Sequence, residues 1–431
     1  MNLNPIARAV TLATLGTALA LPSLVQAAFV EDSKASLELR NFYFNRDFRQ
    51  GHDDVPALGK LTGKDQVRSK SEEWAQGFLL RLESGYTEGT VGFGVDAIGT
   101  FGFKLDSGDG TAGSGLLPKD QSSGGSQDNY GDLGVTAKAK VSNSVLKIGS
   151  LQPTLPTVTR SDGRLLPQTF QGGHLNSQEI DGLSLDLGML NRVNHRDSQD
   201  HQTLGINGGK GITSNASDSD EFNFAGASYQ WNPQLSTAYH YGNLEEFYRQ
   251  HLFNVVHVLP IAAGHSLKSD IRYARSLDAG SSNVDNKAMG ALFTYGLGGH
   301  KLGLGYQSMT GKTGYAYLNG TDPFLVNYVQ IGDFANKDEK SWQLRYDYNF
   351  ASVGIPGLTF MTRYLSGDNV DRGAGLSEGR EWERNSELMY VFQDGALKNL
   401  GVRWRNATVR SNFANDIDEN RLILSYTLPL L

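Results

Sequence analysis

The stretch Thr90–Leu105, TVGFGVDAIGTFGFKL, decides how the rest of the chain is read. Val91, Phe93, Val95, Ala97, Phe101, Phe103 and Leu105 share one parity. Thr90, Gly92, Gly94, Asp96, Thr100, Gly102 and Lys104 share the other, with Ile98 the exception. Successive strand side chains point to opposite faces, so the alternation gives one apolar and one polar face. A strand of a soluble sandwich would alternate in the same way. Two features go further: the run is long, and it recurs along the chain with no helical pattern between. Hydrocarbon on one face and water on the other accounts for both.

Working outward from that strand, the first 27 residues carry a different signal. Met1–Ala27 holds one charge, Arg8, then the apolar run Ala9–Leu21 and a small-residue end at Val25-Gln26-Ala27. This is the layout of a secretory signal, and cleavage is expected after Ala27, leaving 28–431 as the mature chain. No later window offers the ~20 apolar residues of a helical span. The mean hydropathy of −0.37 would suit a soluble protein, but it suits a membrane barrel equally, because every second strand residue of a barrel faces water. The chain has no cysteine, which excludes a disulfide framework and thiolate metal sites. The 51 glycines and 10% aromatic residues fit a turn-rich β protein with aromatic girdles.

The alternation continues through Lys34–Phe44 and Glu73–Gly85, with a polar loop between and the short turn Tyr86–Gly89 after. Long polar loops fall at about 45–71, 106–130, 151–174, 193–220, 245–249, 276–286, 309–339, 366–384 and 410–418. Short turns such as Asn232-Pro233, Gly298-Gly299 and Asp394-Gly395 lie between them. Nine hairpins require eighteen strands. An even strand number, short turns at one end and long loops at the other define an all-β, antiparallel transmembrane barrel.

The last strands also say which face is inside. Trp342, Leu344, Tyr346, Tyr348 and Phe350 oppose Ser341, Gln343, Arg345, Asp347 and Asn349. Leu358, Phe360 and Tyr364 oppose Arg363; Val402 and Trp404 oppose Arg403 and Arg405; Leu422, Leu424, Tyr426 and Leu428 oppose Arg421, Ser425 and Thr427. An arginine at the bilayer midplane costs ~2–4 kcal/mol on the lipid face of a barrel, so the arginine faces point into the lumen. In a closed barrel, Arg345, Arg363, Arg403, Arg405, Arg421 and Arg40 then lie on strands 14, 15, 17, 18 and 1, one contiguous arc. A net-acidic chain that gathers arginines there has a ready partner in anionic solutes, with Glu387 and Asp347 offsetting part of the charge. The alternative is a wall that is merely hydrophilic. A unit-charge contact at 4 Å is worth about 1 kcal/mol in water and about 4 at an effective dielectric near 20. Several such contacts in series attract a carboxylate without trapping it. Lys268 and Arg272 share a lumen-compatible parity on a distant strand.

A barrel of this size leaves an aqueous channel, so selectivity requires something folded inward. Leu151–Leu175 has three prolines, a high apolar content and Arg160, Asp162 and Arg164 at its centre. Met309–Glu339 carries Tyr315-Ala316-Tyr317, Asp322-Pro323-Phe324-Leu325 and Tyr328. The aromatics of the second suggest burial against the wall or contact with ligand rings; the alternative is a loop packed on itself outside.

At these residues the chain resembles the OprD family of substrate-specific porins of pseudomonads, also called Occ channels. The resemblance runs through LRNFYFNRD (39–47), QGFLLRLESGYTEGTVGFGVDA (76–97), DGRLLPQT (162–169), GNLEEFYRQH (242–251), EKSWQLRYDYNFASVGIPGLTFMTRYLSGD (339–368) and ENRLILSYTLPLL (419–431). It implies an eighteen-stranded barrel, monomeric or weakly trimeric, with the third and seventh loops folded in to form the constriction. It also implies a basic ladder for carboxylate-bearing solutes. Arg403 and Arg405 match the ladder's paired arginines, Arg345 and Arg363 fall on matching strands, and Arg164 matches the constriction arginine. Asp162 and Asp322 lie where the family places acidic or polar groups. Of its two branches, one favouring basic amino acids and one aromatic or cyclic monocarboxylates such as benzoate and vanillate, DGRLLPQTFQGG (162–173) and YLSGD (364–368) look closer to the second.

The rival classes are a barrel enzyme and a non-specific porin. An enzyme needs a positioned acid/base or nucleophile set, whereas the nine histidines are scattered and lie mostly in or beside loops. No phosphate-cradling loop, metal-ligand cluster or nucleic-acid patch appears, so no cofactor is implied, and the glycines of 290–305 belong to hairpin chemistry. The expected partners are small carboxylate solutes together with outer-membrane lipid and lipopolysaccharide.

Overall fold

The computed structural model describes residues 29–49, 69–108 and 110–431, so the expected signal segment and most of the first loop lie outside the described residues. Eighteen antiparallel strands form a closed barrel. The first seven are β1 (Lys34–Phe48), β2 (Lys70–Glu83), β3 (Gly92–Asp106), β4 (Asn129–Val141), β5 (Ser144–Leu151), β6 (Thr169–Ser177) and β7 (Leu183–Asn194). Next come β8 (Phe222–Asn232), β9 (Leu235–Leu244), β10 (Tyr248–Ala262), β11 (His265–Asp278), β12 (Asp285–Leu297) and β13 (His300–Gly311). The wall ends with β14 (Lys340–Asn349), β15 (Leu358–Val370), β16 (Gly379–Val391), β17 (Gly401–Ser411) and β18 (Ile417–Pro429). The ring closes where β1 pairs with β18, from Ser36 opposite Pro429 to Phe48 opposite Ile417. Closure leaves no strand edge with unpaired backbone groups in the membrane.

Side-chain parity sets the two faces. Phe93, Val95, Leu133, Val135, Ile148, Leu187, Leu304, Trp342 and Leu344 are exposed on the outside, as a lipid-facing belt requires. Gln343, Asn385 and Ser341, on the opposite parity, are buried inside. Turns of two residues, 142–143, 233–234, 263–264 and 298–299, close hairpins at one end. Long connections among the described residues, 107–128 (loop 2), 152–168 (loop 3), 195–221 (loop 4) and 312–339 (loop 7), lie at the other. Loop 3 ends six residues earlier than its composition suggests, because Thr169–Ser177 pairs with both β5 and β7. Gly172 and Gly173 blank out the alternation there.

The core of this barrel is where loops meet the inner wall. Phe222, Phe224, Leu244 and Leu190 of the wall bury Leu151 and Val158 beside loop 3's start, Leu204 of loop 4, and Ala316 and Leu318 of loop 7. Phe42, Phe44, Ala75 and Leu79 bury Leu116 and Leu117 of loop 2 and Leu165 and Leu166 of loop 3. Leu252, Ala274, Ala288 and Met309 hold Tyr315, Leu325 and Ala335 of loop 7. Each fully buried apolar side chain contributes about 1.5–3 kcal/mol, which ties the loops inward rather than out into solvent. Inward glycines make room: a Cβ on Gly102 would lie 2.6 Å from the Tyr130 ring and 2.9 Å from Leu165, and one on Gly290 2.8 Å from Val326. Loops 3 and 7 therefore fold in as expected. Loops 2 and 4 join them, which their polar composition concealed.

Candidate functional site

The strand register lines up the arginines of β14–β18 and β1 in rungs. One rung runs Arg345, Arg363, Asn385, Ala407, Glu419 and Arg46 across six strands. The next, two residues closer to the turn end, runs Asp347, Met361, Glu387, Arg405, Arg421 and Phe44. The third holds Met389, Arg403, Ile423 and Phe42. Two residues of strand span roughly 6.6 Å, so successive rungs offer charges a short step apart.

These arginines divide into two groups. Arg403 and Arg405 share one carboxylate, Glu387, at 3.6 and 3.0 Å, and Arg345 pairs with Asp347 at 2.7 Å. Their side chains stay 40%, 20% and 36% exposed to the lumen. Arg363 donates to Asn385 Oδ1 at 2.7 Å and makes no ion pair with an acidic side chain among the described residues. Arg40, Arg164 and Arg421 are instead buried and hold the loops. Arg40 donates through Nη1 to Asp162 Oδ1 at 2.8 Å and to the Arg164 carbonyl at 2.9 Å, and pairs with Glu38 at 2.7 Å. Arg164 donates to the carbonyls of Ser114, in loop 2, at 2.8 Å and Gly163 at 3.0 Å. Arg421 pairs with Glu419 at 2.6 Å and reaches the carbonyl of Gly163 in loop 3 at 3.4 Å and that of Gln330 in loop 7 at 3.2 Å. Its guanidinium and those of Arg164 and Arg46 lie 5.5, 5.0 and 5.4 Å from the Phe44 ring centroid, where the ring's negative face favours them. Burial, and after it the nearby Arg421 and Arg196, lower the pKa of the Arg164 guanidinium, a group that nonetheless keeps its proton in proteins.

The two central loops also touch one another. The amide of Asp322 donates to the Thr159 carbonyl at 2.9 Å, and Gln168 Nε2 reaches the Asn319 carbonyl at 3.3 Å. Asp322 accepts from the Tyr328 hydroxyl at 2.9 Å, and Asp162 pins Arg40, so each loop acid has a protein partner. Burial pushes the Asp322 carboxyl above its usual range, against the pull of Tyr328 and Ser161. Arg196 of loop 4, which sequence reasoning missed, donates to Ser161 Oγ at 3.0 Å and stands beside Arg164 and Asp322. Arg46, Phe44 and Glu419 were missed as well, although they share the inward parity of Arg40 and Arg421.

A closed barrel whose lumen is narrowed by docked loops and lined by unevenly neutralised arginines is a solute channel of the outer-membrane type. The chain belongs to the OprD family of outer membrane porins, whose model matches residues 27–430. It is 39% identical to the porin-like protein GalP of Pseudomonas putida over 97% of both chains. It is 36% identical to porin D of Pseudomonas aeruginosa over 94% of this chain and 92% of that one. The solved structure of Pseudomonas aeruginosa OpdQ, 61% identical, covers 94% of this chain and 100% of that chain with a TM-score of 0.85. A BenF-like porin from Pseudomonas fluorescens Pf-5, 41% identical, covers 93% of this chain and 100% of that chain at the same TM-score of 0.85. These relatives are porins rather than enzymes, and the chain is an outer-membrane channel for small solutes.

Proposed function

We propose that the channel takes up small carboxylates passively, with aromatic or cyclic monocarboxylates such as benzoate or vanillate as its solutes. The observation that carries this reading is the rung geometry of β14–β18. Arg345, Arg363, Arg403 and Arg405 face one arc of lumen, and among the described residues Asp347 and Glu387 are the carboxylates that form ion pairs with them, leaving Arg363 with none. A carboxylate entering that arc meets several contacts of moderate strength in series, which suits conduction better than one deep site. Arg40, Arg164 and Arg421 act in this scheme by fixing the loops that narrow the path, and Asp162 and Asp322 by holding Arg40 and Tyr328. A basic-amino-acid or peptide channel of the same family is the second reading. In the same proposal the apolar belt contacts lipid and lipopolysaccharide, the chain works as a monomer or weak homotrimer, and its first 27 residues are removed on export.

Single-channel recording in a planar bilayer tests it, with benzoate, vanillate, arginine and glucose added in turn. Concentration-dependent block by the two aromatic carboxylates is expected. In Arg403→Ala/Arg405→Ala that block weakens about tenfold, the loss of roughly 1.4 kcal/mol of attraction from two half-exposed charges. Block by arginine alone moves the channel to the other branch, and indifference to all four solutes makes it a general porin.

A further inference from the structure

A second group of cations faces the lumen on β4, β5 and β6, three to five strands beyond the β1 end of the arginine rungs. Lys138 stands directly opposite Lys147, and Lys147 directly opposite His174. Like charges facing one another across neighbouring strands destabilise a sheet, so two adjacent lysines on one rung call for a counter-charge. The protein supplies one carboxylate for both. Asp96 lies 2.6 Å from Lys138 Nζ and 3.4 Å from Lys147 Nζ. Lys138 is further satisfied by the Ser84 carbonyl at 2.7 Å and by the Tyr86 ring at 4.7 Å. His174 is taken up by Asp186 at 2.8 Å. Among the described residues Lys147 is left with the long contact alone, and its side chain is 44% exposed.

The space in front of Lys147 is a recess of about 560 Å³ on the turn side of loop 3, within the range of small-molecule sites. Loop 3 contributes Gln152 and Leu155 to its lining, and Tyr86 and Phe224 contribute aromatic surface. Gln152 Nε2 is buried and has no hydrogen-bond partner among the described residues, an unmet donor at a position where such groups are normally satisfied. Arg81, also on the lining, pairs at 3.1 Å with Glu38, the carboxylate that holds Arg40. A chain of paired charges thus links the recess to the arginine arc.

We propose that this recess is a second station for an aromatic monocarboxylate. Lys147 and Gln152 take the carboxylate, and Tyr86, Leu155 and Phe224 take the ring. The station lies past the constriction, so a solute released from the arginines rests there before it leaves. The inference rests on the carboxylate reading above.

The test is a crystal structure of the full channel with 4-iodobenzoate, located by iodine anomalous scattering, joined to benzoate dwell times in single-channel records. Two iodine positions are expected, one beside Arg403 and Arg405 and one in the recess. In Lys147→Gln the recess position empties and benzoate dwell time shortens about fivefold, the effect of one half-exposed charge. Lys147→Arg keeps both and shows that the wall tolerates change at this position. Iodine beside the arginines alone overturns the second station and leaves the carboxylate reading standing. Iodine in neither place overturns both. A recess position with unchanged dwell time in Lys147→Gln is binding at crystal concentration only and also overturns the station.

Discussion

From β14 to β18 the inward positions include Arg345, Arg363, Asn385, Glu387, Arg403, Arg405, Glu419 and Arg421. Around the rest of the ring the inward positions that seat loops are apolar: Phe42, Phe44, Ala75 and Leu79 of β1 and β2, Tyr130 of β4, and Leu190, Phe222, Phe224, Leu244, Leu252, Ala274, Ala288 and Met309 of β7 to β13, with loops 2, 3, 4 and 7 packed on them. One wall seats the loops by burying apolar surface, and the opposite wall keeps its polar groups facing the path. Loop 7 is moored to that polar wall mainly by hydrogen bonds, among them Ile331 and Gly332 amides on Glu383 at 3.1 and 2.7 Å and Gln330 Nε2 on Glu419 at 2.9 Å, beside one small apolar contact of Val329 and Phe334 with Leu365 of β15. Arg421 is where both central loops reach the polar wall at once.

Breaking that junction gives the largest expected effect. Arg421→Ala removes the donors to Gly163 and Gln330 and leaves buried Glu419 with Arg46 as its remaining charged partner, at 2.6 Å. Loss of one member of a buried pair costs about 3–5 kcal/mol. A lower melting temperature is expected, together with a larger and noisier single-channel conductance as both loops lose an anchor. Unchanged conductance would mean that the apolar wall alone positions the loops, and the contrast between the walls would collapse.

The apolar side of the comparison is sharpened at Gly102. Gly102→Val puts side-chain atoms where the Tyr130 ring and Leu165 already sit, at 2.6 and 2.9 Å from the first added carbon. Overpacking of this kind costs about 1–3 kcal/mol and displaces loop 3 from its seat. A melting temperature lowered by less than in Arg421→Ala is expected, with altered conductance but intact benzoate block, because Arg403 and Arg405 are untouched. Loss of block in Gly102→Val would tie selectivity to loop 3 rather than to the arginine rungs.

What the sequence made legible follows from what each solvent demands. Lipid tolerates only apolar outward positions, so Trp342 and Leu344 against Gln343 and Arg345 announced both the strand and its inner face. The inward positions of the loop-seating wall obey a second solvent, the loops themselves. Phe42, Phe44 and Leu79 are apolar on the inner parity, and their partners Leu116, Leu117 and Leu165 lie in segments of otherwise polar or turn-like composition. Alternation cannot pair residues that lie so far apart in the chain. The same distance hid the division among the arginines. Inward parity placed Arg40 and Arg421 with Arg403 and Arg405, but the groups that lock the first two are supplied by residues 122 and 258 positions away. Lys138 and Lys147 escaped notice because the arginine arc alone was dense enough in charge to be read from one parity pattern.

The smallest expected effect concerns how loop 7 leaves the polar wall near its end. Glu339, the last residue before β14, accepts from the Asn336 amide at 2.9 Å and from Asn336 Nδ2 at 2.8 Å. Glu381 of β16 faces it, taking the same Asn336 Nδ2 at 3.2 Å, while nearby Asp333 is occupied by Lys210 at 2.7 Å and the Tyr317 hydroxyl at 2.9 Å. Burial pushes the Glu339 carboxyl up to about 7, against the pull of the Asn336 and Glu381 hydrogen bonds, and Asp333 adds a smaller repulsion. Because the folded state then holds the proton more tightly than the unfolded chain, its contribution is complete below the ordinary carboxyl pKa of about 4.3 and is lost as pH rises through about 7. Loop 7 should be quieter in single-channel records at pH 5 than at pH 8. In Glu339→Gln, which cannot ionise, the pH 8 record should become as quiet as the pH 5 record. The polar wall would then hold the loop more firmly in acid, whereas the apolar seat beneath Tyr315 and Leu325 carries no such dependence. Noise that rises toward pH 5, or that persists at pH 8 in Glu339→Gln, would assign loop 7's motion to the apolar seat instead.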